Sequence, residues 1–495
     1  MATDSLKSII PVIKTIDERN VCILSEPKCE MVYASVTLRG GYYTETNPAH
    51  LGITHLIEHI LFESWKKCYM TLPSKTNIKI KTKTNAKTRK TMKAKAIAGP
   101  KKSCLHFWNN RPVSYNGFTD NQHVTAYIYG LASESSNIVD YITQMICSCK
   151  THLNMKLLAH IKNTVLNELT AAETGSMRKL EYALISRHIA PKISESSSGA
   201  LHIGNATLQI ENLRKLTPEH IKDYYYRFFI PQNAFFFYSG CVTEHQIRAS
   251  ISAHLLHSQS QSNISINKSL NSNRTNVAFE PSRIFTRQFL DTDKGTNKGV
   301  PIPITIVKDP SVKNNALFMI IFPMKQMFDS IVETARTTQV LTTLVKRELM
   351  ELLRMEHNLV YGVDAACSTL TGINTFRIFG SCLYSNVELV IELCVSYIRE
   401  RQRKRVPESK LDAAKGNIKM ATHVSSHSLV SISNFFERLI TLSMMYGSET
   451  INPSDMKLGS YDASVKQIDR ITASEIREYF KCIRASKAVS GYSIR

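Results

Sequence analysis

The sequence predicts a chain of two domains that each mix strands with helices, and three observations carry that expectation. The first is length. At 495 residues the chain exceeds what one hydrophobic core organises, while a hydrophobic share of 43% and a charged share of 21% suit packed globular domains. The second is alternation between strand-like and helix-like patterns from the N-terminus onward. The third is an internal echo: Leu216 to Tyr225 (LTPEHIKDYY) resembles Ile471 to Phe480 (ITASEIREYF) at an offset of 255 residues. In each, Thr can cap a helix that carries Ile and an aromatic residue at similar steps.

Taken in order, Val32 to Leu38 alternates and is rich in β-branched residues, and Arg39-Gly40-Gly41 ends it, so a strand and turn are expected. From Gly52 to about Ser64, Ile53, Leu56, Ile57, Ile60 and Leu61 recur at three- and four-residue steps, the spacing of a helix with one buried face. Val113 to Gly130 reads as extended, Asn137 to Asn154 and Leu157 to Ala172 as helical, and Ala234 to Tyr238 as a strand closed by Gly240. Ser258 to Gly299 is rich in Ser, Asn, Thr and Lys and reads as a connection between domains. The expected division is 1–260, a linker at 261–300, and 301–495.

The formal charge of +21 favours acidic partners. About half of it sits in Pro73 to Ser103, which holds eleven Lys or Arg and no acid, with no apolar period. This reads as an exposed insertion; nucleic acid or an acidic partner is its candidate ligand, although it lacks the interleaved aromatics of a base-stacking platform. Arg399 to Arg405 is a second basic cluster, expected at an exposed helix end before Pro407. Eleven scattered cysteines suit a reducing compartment, and Cys147 and Cys149 read as core residues rather than metal ligands. With no secretory leader and no run of eighteen apolar residues, the expected location is intracellular, cytoplasmic first, with the mitochondrial matrix or a virion as alternatives.

Chemistry concentrates at His55-Leu56-Ile57-Glu58-His59. Histidines four apart on a helix project from one face and can reach one cation, and neutral imidazoles suit Zn²⁺. Glu58 beside them can take a proton from water and deliver it to a leaving amine. His-x-x-Glu-His is the inverse of the common zincin order.

The surroundings of this motif resemble the pitrilysin, insulinase and mitochondrial processing peptidase family of zinc peptidases. The likeness runs through Gly40 to Glu45, Leu51 to Phe62, Asn116 to Asp120 with Thr125 to Tyr127, Val165 to Leu169, Leu216 to Tyr224, and Pro231 to Gly240. In the second half it takes in Arg354 to Gly362, Ser409 to Lys415 and Ile471 to Phe480. The resemblance implies an α+β fold of two similar domains, each a mainly antiparallel sheet flanked by helices. It implies Glu168 as third zinc ligand, with Glu173 and Glu181 as less favoured alternatives, and Asn116, Arg354 and Tyr361 as substrate-binding residues. It also implies pairing of two chains around a chamber, a homodimer or a heterodimer with a related subunit, acting on peptides or unfolded segments. Two departures stand out. The 108 residues between His59 and Glu168 exceed the family's spacing, which the basic insertion explains, and Ile161 stands where many relatives carry a second acid. The alternatives are an inactive structural subunit and a virion- or nucleic-acid-associated protein.

Overall fold

The computed structural model describes residues 11–67, 111–147, 155–189, 206–229, 233–261, 303–325, 331–445 and 461–495, apart from 18, 46, 121, 122, 174, 311, 313, 314, 371 and 372. The basic segment 73–103 and nearly all of the expected linker at 261–300 lie outside the described residues.

Two sheets organise the chain. The first comprises β1 (Val12–Ile16), β2 (Arg19–Ser25), β3 (Met31–Arg39), β4 (Val113–Thr119), β5 (His123–Leu131) and β6 (Ala234–Gly240), in the spatial order β1-β2-β6-β3-β5-β4. The second comprises β7 (Ile304–Lys308), β8 (Asn315–Pro323), β9 (Val360–Leu370), β10 (Ile373–Leu383) and β11 (Val489–Ile494), in the order β7-β11-β8-β10-β9. All pairs are antiparallel except β2 with β6 and β7 with β11. Setting aside β1, the sheets superpose strand for strand in connectivity: β2, β3, β4, β5 and β6 correspond to β7, β8, β9, β10 and β11.

The helices follow the same order. The first half carries α1 (Ile53–Lys67), α2 (Ser135–Cys147), α3 (Met155–Glu173), α4 (Ser176–Leu184), α5 (Ala206–Lys215), α6 (Pro218–Phe228) and α7 (Glu244–Gln261). The second carries α8 (Ile331–Leu349), α9 (Val387–Arg403), α10 (Glu408–Ser425), α11 (Leu429–Met445), α12 (Tyr461–Arg470) and α13 (Ala473–Cys482). The echo in the sequence falls on α6 and α13. Thr217 caps the former by accepting from His220 N and Thr472 caps the latter by accepting from Glu475 N, at 3.4 and 3.1 Å.

One face of each sheet packs on helices of its own half. Ile53, Leu56, Ile57, Ile60 and Leu61 of α1 all join the first core at 2% exposure or less, as their spacing requires. The other face is covered by the opposite half. Leu429, Phe436 and Leu439 of α11 lie on Cys22, Leu24, Tyr33, Phe235 and Phe237 of the first sheet. Reciprocally, Leu180 and Leu184 of α4 lie on Met319, Ile321 and Val489 of the second. Polar pairs lock both contacts: Tyr33 donates to Glu437 at 2.8 Å, Lys179 meets Asp309 at 3.2 Å, and Arg377 pairs with Glu181.

Some boundaries differ from expectation. The helix predicted over 137–154 is described as far as Cys147, and 258–261 belong to α7 rather than to a connection. In the basic cluster, Arg401 turns inward. Its Nε donates to buried Glu348 at 2.9 Å, a carboxylate also bonded by Tyr397 Oη, so a buried acid recruits a residue that charge patterning assigned to solvent.

Candidate metal centre

The site is built at the open end of α1, and its placement begins with how that helix starts. Glu45, 2% exposed, accepts hydrogen bonds from the N–H groups of Gly52 and Thr54 at 2.8 and 2.9 Å, supplying acceptors for N–H groups that the start of a helix leaves without partners. Gly52 has φ +91°, which favours glycine at this entry. Thr54 shares a hydrogen bond with the Tyr224 hydroxyl of α6 at 2.9 Å, and Tyr224 also meets Thr44. Three buried groups therefore fix the turn that carries His55.

His55 and His59, one turn apart, place their Nε2 atoms 3.3 Å from each other. Glu168, on α3 opposite, places Oε2 3.4 Å from His55 Nε2 and 3.2 Å from His59 Nε2. Hydrogen bonds between such groups favour about 2.7–3.0 Å. Three donors each at zinc's ordinary ligand distance of ~2.1 Å, in tetrahedral geometry, would lie ~3.4 Å apart. The triangle thus matches the edges of a ligand tetrahedron, and the residues present fit zinc. Burial lowers the pKa of His55 to about 4, with His59 and Arg178 adding to that, so the ring is neutral and its lone pair available. Its Nδ1 is buried with no hydrogen-bond partner among the described residues, where packing sets the ring's orientation.

Glu58 lies beside the triangle at 7% exposure. Thr119 Oγ1 donates to its Oε2 at 2.7 Å, while Oε1 has no hydrogen-bond partner among the described residues. Burial pushes Glu58 up to about 7, against the hydrogen bond from Thr119, with Glu168 adding to the rise. Thr119 reaches it because β4 alternates. Val113, Tyr115, Gly117 and Thr119 face α1, and Ser114, Asn116 and Phe118 face outward. A Cβ at Gly117 would stand 2.5 Å from Phe62 and 3.1 Å from Glu58 Oε1, so glycine leaves the room in which the carboxylate sits.

The structure brings together His55, Glu58, His59 and Glu168. Asn116 sits on the outward face of the edge strand β4, its side-chain oxygen accepting from Gly117 N at 2.9 Å. Arg354 and Tyr361 are joined to each other, Arg354 donating to the Tyr361 carbonyl at 2.8 Å where the chain enters β9. Neither makes a hydrogen bond or ion pair with the triangle among the described residues. Glu181 is committed to Arg377, and the side chain of Glu173 lies outside what is described. Ile161, at 1% exposure, is part of the first core.

Thr119, Gly117, Glu45 and Arg178 are the site's neighbours that reading the sequence missed. Strand alternation, applied to 113–119, would have found Thr119 and Gly117. Glu45 acts across nine residues of loop, and Arg178 arrives from α4; neither has a local signal.

Known proteins place this architecture. A family model described as the Peptidase M16 inactive domain matches residues 215–418, less than half of the chain and beginning after Glu168. No curated protein matches the chain. Among solved structures, a protease from Helicobacter pylori is 12% identical, with 98% of this chain and 100% of that one covered and a TM-score of 0.66. A putative M16-like peptidase from Alicyclobacillus acidocaldarius is likewise 12% identical, covering 98% of each chain at a TM-score of 0.65. A chain of Complex III2 from Candida albicans is 11% identical over 97% of this chain and 95% of that one, at 0.62. At such identities the likeness speaks for the fold alone: the chain has the two-sheet α+β fold of M16-like peptidases.

Proposed function

We propose that the chain is a zinc-dependent endopeptidase acting on peptides or unfolded segments. The observation that carries this reading is the triangle of His55, His59 and Glu168 with edges of 3.2–3.4 Å beside the buried acid Glu58. Zinc bound there supplies Lewis acidity, which acidifies water and polarises the scissile carbonyl.

The chain's own groups do the rest. Glu58 receives the proton of the attacking water at Oε1 and returns it to the leaving amine, its burial beside the triangle favouring return of the proton. Thr119 holds Oε2 and so fixes the direction in which Oε1 points. A substrate strand docks on β4, the outer strand of its sheet among the described residues, which runs past Glu58. Such docking admits extended chains and rejects folded ones. Arg354 and Tyr361 sit in the other half, and in this reading a second copy presents them to the site, Arg354 orienting a carbonyl and Tyr361 donating to the oxyanion.

A second reading, an inactive structural subunit, has one observation in its favour. Ile161 packs in the core where many relatives place a second acid near the ligands, and groups that hold the ligands in place set metal affinity. Peptide cleavage by zinc-loaded wild type and by Glu58→Gln decides between them. The peptidase reading expects turnover that falls about a thousandfold in the variant; equal rates, or none in either chain, would leave the subunit reading standing. If the site is shared, mixing Glu58→Gln with Arg354→Ala chains restores part of the activity, and verified mixed dimers without rescue would refute the sharing.

A further inference from the structure

A second pair of histidines stands at the corner between α10 and α11. His423 lies in the last turn of α10 and His427 in the turn that follows; both are exposed, and their Nε2 atoms are 3.4 Å apart. The two rings stand edge to face, and 3.4 Å is long for a hydrogen bond between their nitrogens, whose usual length is about 2.9–3.0 Å. A cation ~2.0–2.1 Å from each imidazole, at a near-tetrahedral angle, sets the nitrogens ~3.4 Å apart.

Two further features make the corner a built one. The backbone of the turn is closed by Ser426, whose N–H bonds Thr422 O at 2.9 Å and whose hydroxyl bonds His423 O at 2.7 Å, so the second histidine is presented at a fixed place. The other face of the His423 ring is addressed from α12: its Nδ1 lies 3.2 Å from the Tyr461 hydroxyl. When His423 Nδ1–H donates to that hydroxyl oxygen, the Nε2 lone pair is left for a cation on the His427 side, and such a hydrogen bond orients a metal-bound imidazole. Lys419 and Asp469, 2.8 Å apart, pin α12 to α10 beside it.

We propose that His423 and His427 form a second, exposed metal site for a late first-row divalent cation, taking copper(II) most tightly. Two imidazoles, with no carboxylate completing a ligand set among the described residues, favour such ions, and copper leads the divalent series. The site does not depend on the peptidase reading, since it shares no residue with the triangle. Its consequence is mechanical. The corner joins α10, which belongs to the second half's helical layer, to α11, which covers the first sheet through Leu429 and Phe436. An ion held by both histidines staples that corner and resists withdrawal of α11.

Copper(II) titration of the purified chain, followed by calorimetry and by the nitrogen hyperfine pattern in electron paramagnetic resonance, tests this. Wild type should bind an equivalent that is lost in His423→Ala and in His427→Ala, the second, beside any equivalent that the triangle holds and His59→Ala loses, the first. Tyr461→Phe should weaken the second equivalent about tenfold while leaving the first unchanged. Both histidines are exposed, so their variants should keep the wild-type circular dichroism. Loss of the second equivalent in both His423→Ala and His427→Ala, with the first retained, supports the site. Unchanged stoichiometry and affinity in His423→Ala overturns it, as does a second equivalent that survives in His427→Ala.

Discussion

The two halves of this chain share a strand order and a helix order, yet they differ at the helix that follows the central strand. In the first half, the helix after the central strand, α1, brings His55, Glu58 and His59 to its open end beneath the edge strand β4. Its counterpart α8 has no histidine among its nineteen residues, and continues through a wider helical turn to Arg354. What the halves keep in common is the packing scheme. Each lends one helix, α4 or α11, to the outer face of the other's sheet. The halves therefore share the contacts that hold the molecule together and differ in the residues around one helix end. In the peptidase reading the halves are complementary: one supplies ligands and acid, the other Arg354 and Tyr361.

The sharpest way to break that comparison is at Glu58. Glu58→Gln should lower peptide turnover about a thousandfold, some 4 kcal/mol of barrier, while zinc content and thermal stability stay as in wild type. Truncating the exchanged helices comes next. Phe436→Ala and Leu180→Ala each remove a buried anchor on the opposite half's sheet, and each should cost about 3 kcal/mol in denaturant unfolding. Similar costs from the two would show that the exchange is reciprocal in energy as well as in shape; a negligible cost at one would make that contact incidental.

Room at the acid is a smaller lever. Gly117→Ala introduces a Cβ that must push Phe62 or Glu58 aside, so kcat should fall about a hundredfold with little change in zinc binding, measured by steady-state kinetics beside metal analysis.

Smallest is a pH effect at the start of α1. Burial pushes Glu45 up to about 7 from an ordinary 4.5, so the folded state holds a proton that the unfolded chain releases. The stability this contributes is fully present below about pH 4.5 and is lost as pH rises through 7. Between pH 5 and 8, wild type should lose about 2 kcal/mol relative to Glu45→Gln in denaturant unfolding. A difference between the two chains that does not change with pH would show that Glu45 is ionised throughout.

How much of this could be read from the sequence follows from the range of the interactions. The spacing of Ile53, Leu56, Ile57, Ile60 and Leu61 is set within one helix, so α1 and the face carrying the histidines were legible. The echo of 216–225 at 471–480 located α6 and α13, because a Thr cap and a buried face are local too. Glu168 came from resemblance, and the triangle's edges are consistent with it. The exchange of α4 and α11 was not legible: Leu180 and Leu184 mark an amphipathic helix without saying which sheet it covers. Glu437, buried beneath Tyr33 and Thr37, shows the same limit, since its partners lie some four hundred residues away.

The central claim is that His55, His59 and Glu168 converge on one ion. Its most direct measurement is zinc retained after exhaustive dialysis by wild type and by His59→Ala and Glu168→Ala chains. One tightly held equivalent per wild-type chain, lost in both variants with the fold intact, is the predicted result; no retained zinc in wild type, or full retention without Glu168, would contradict it.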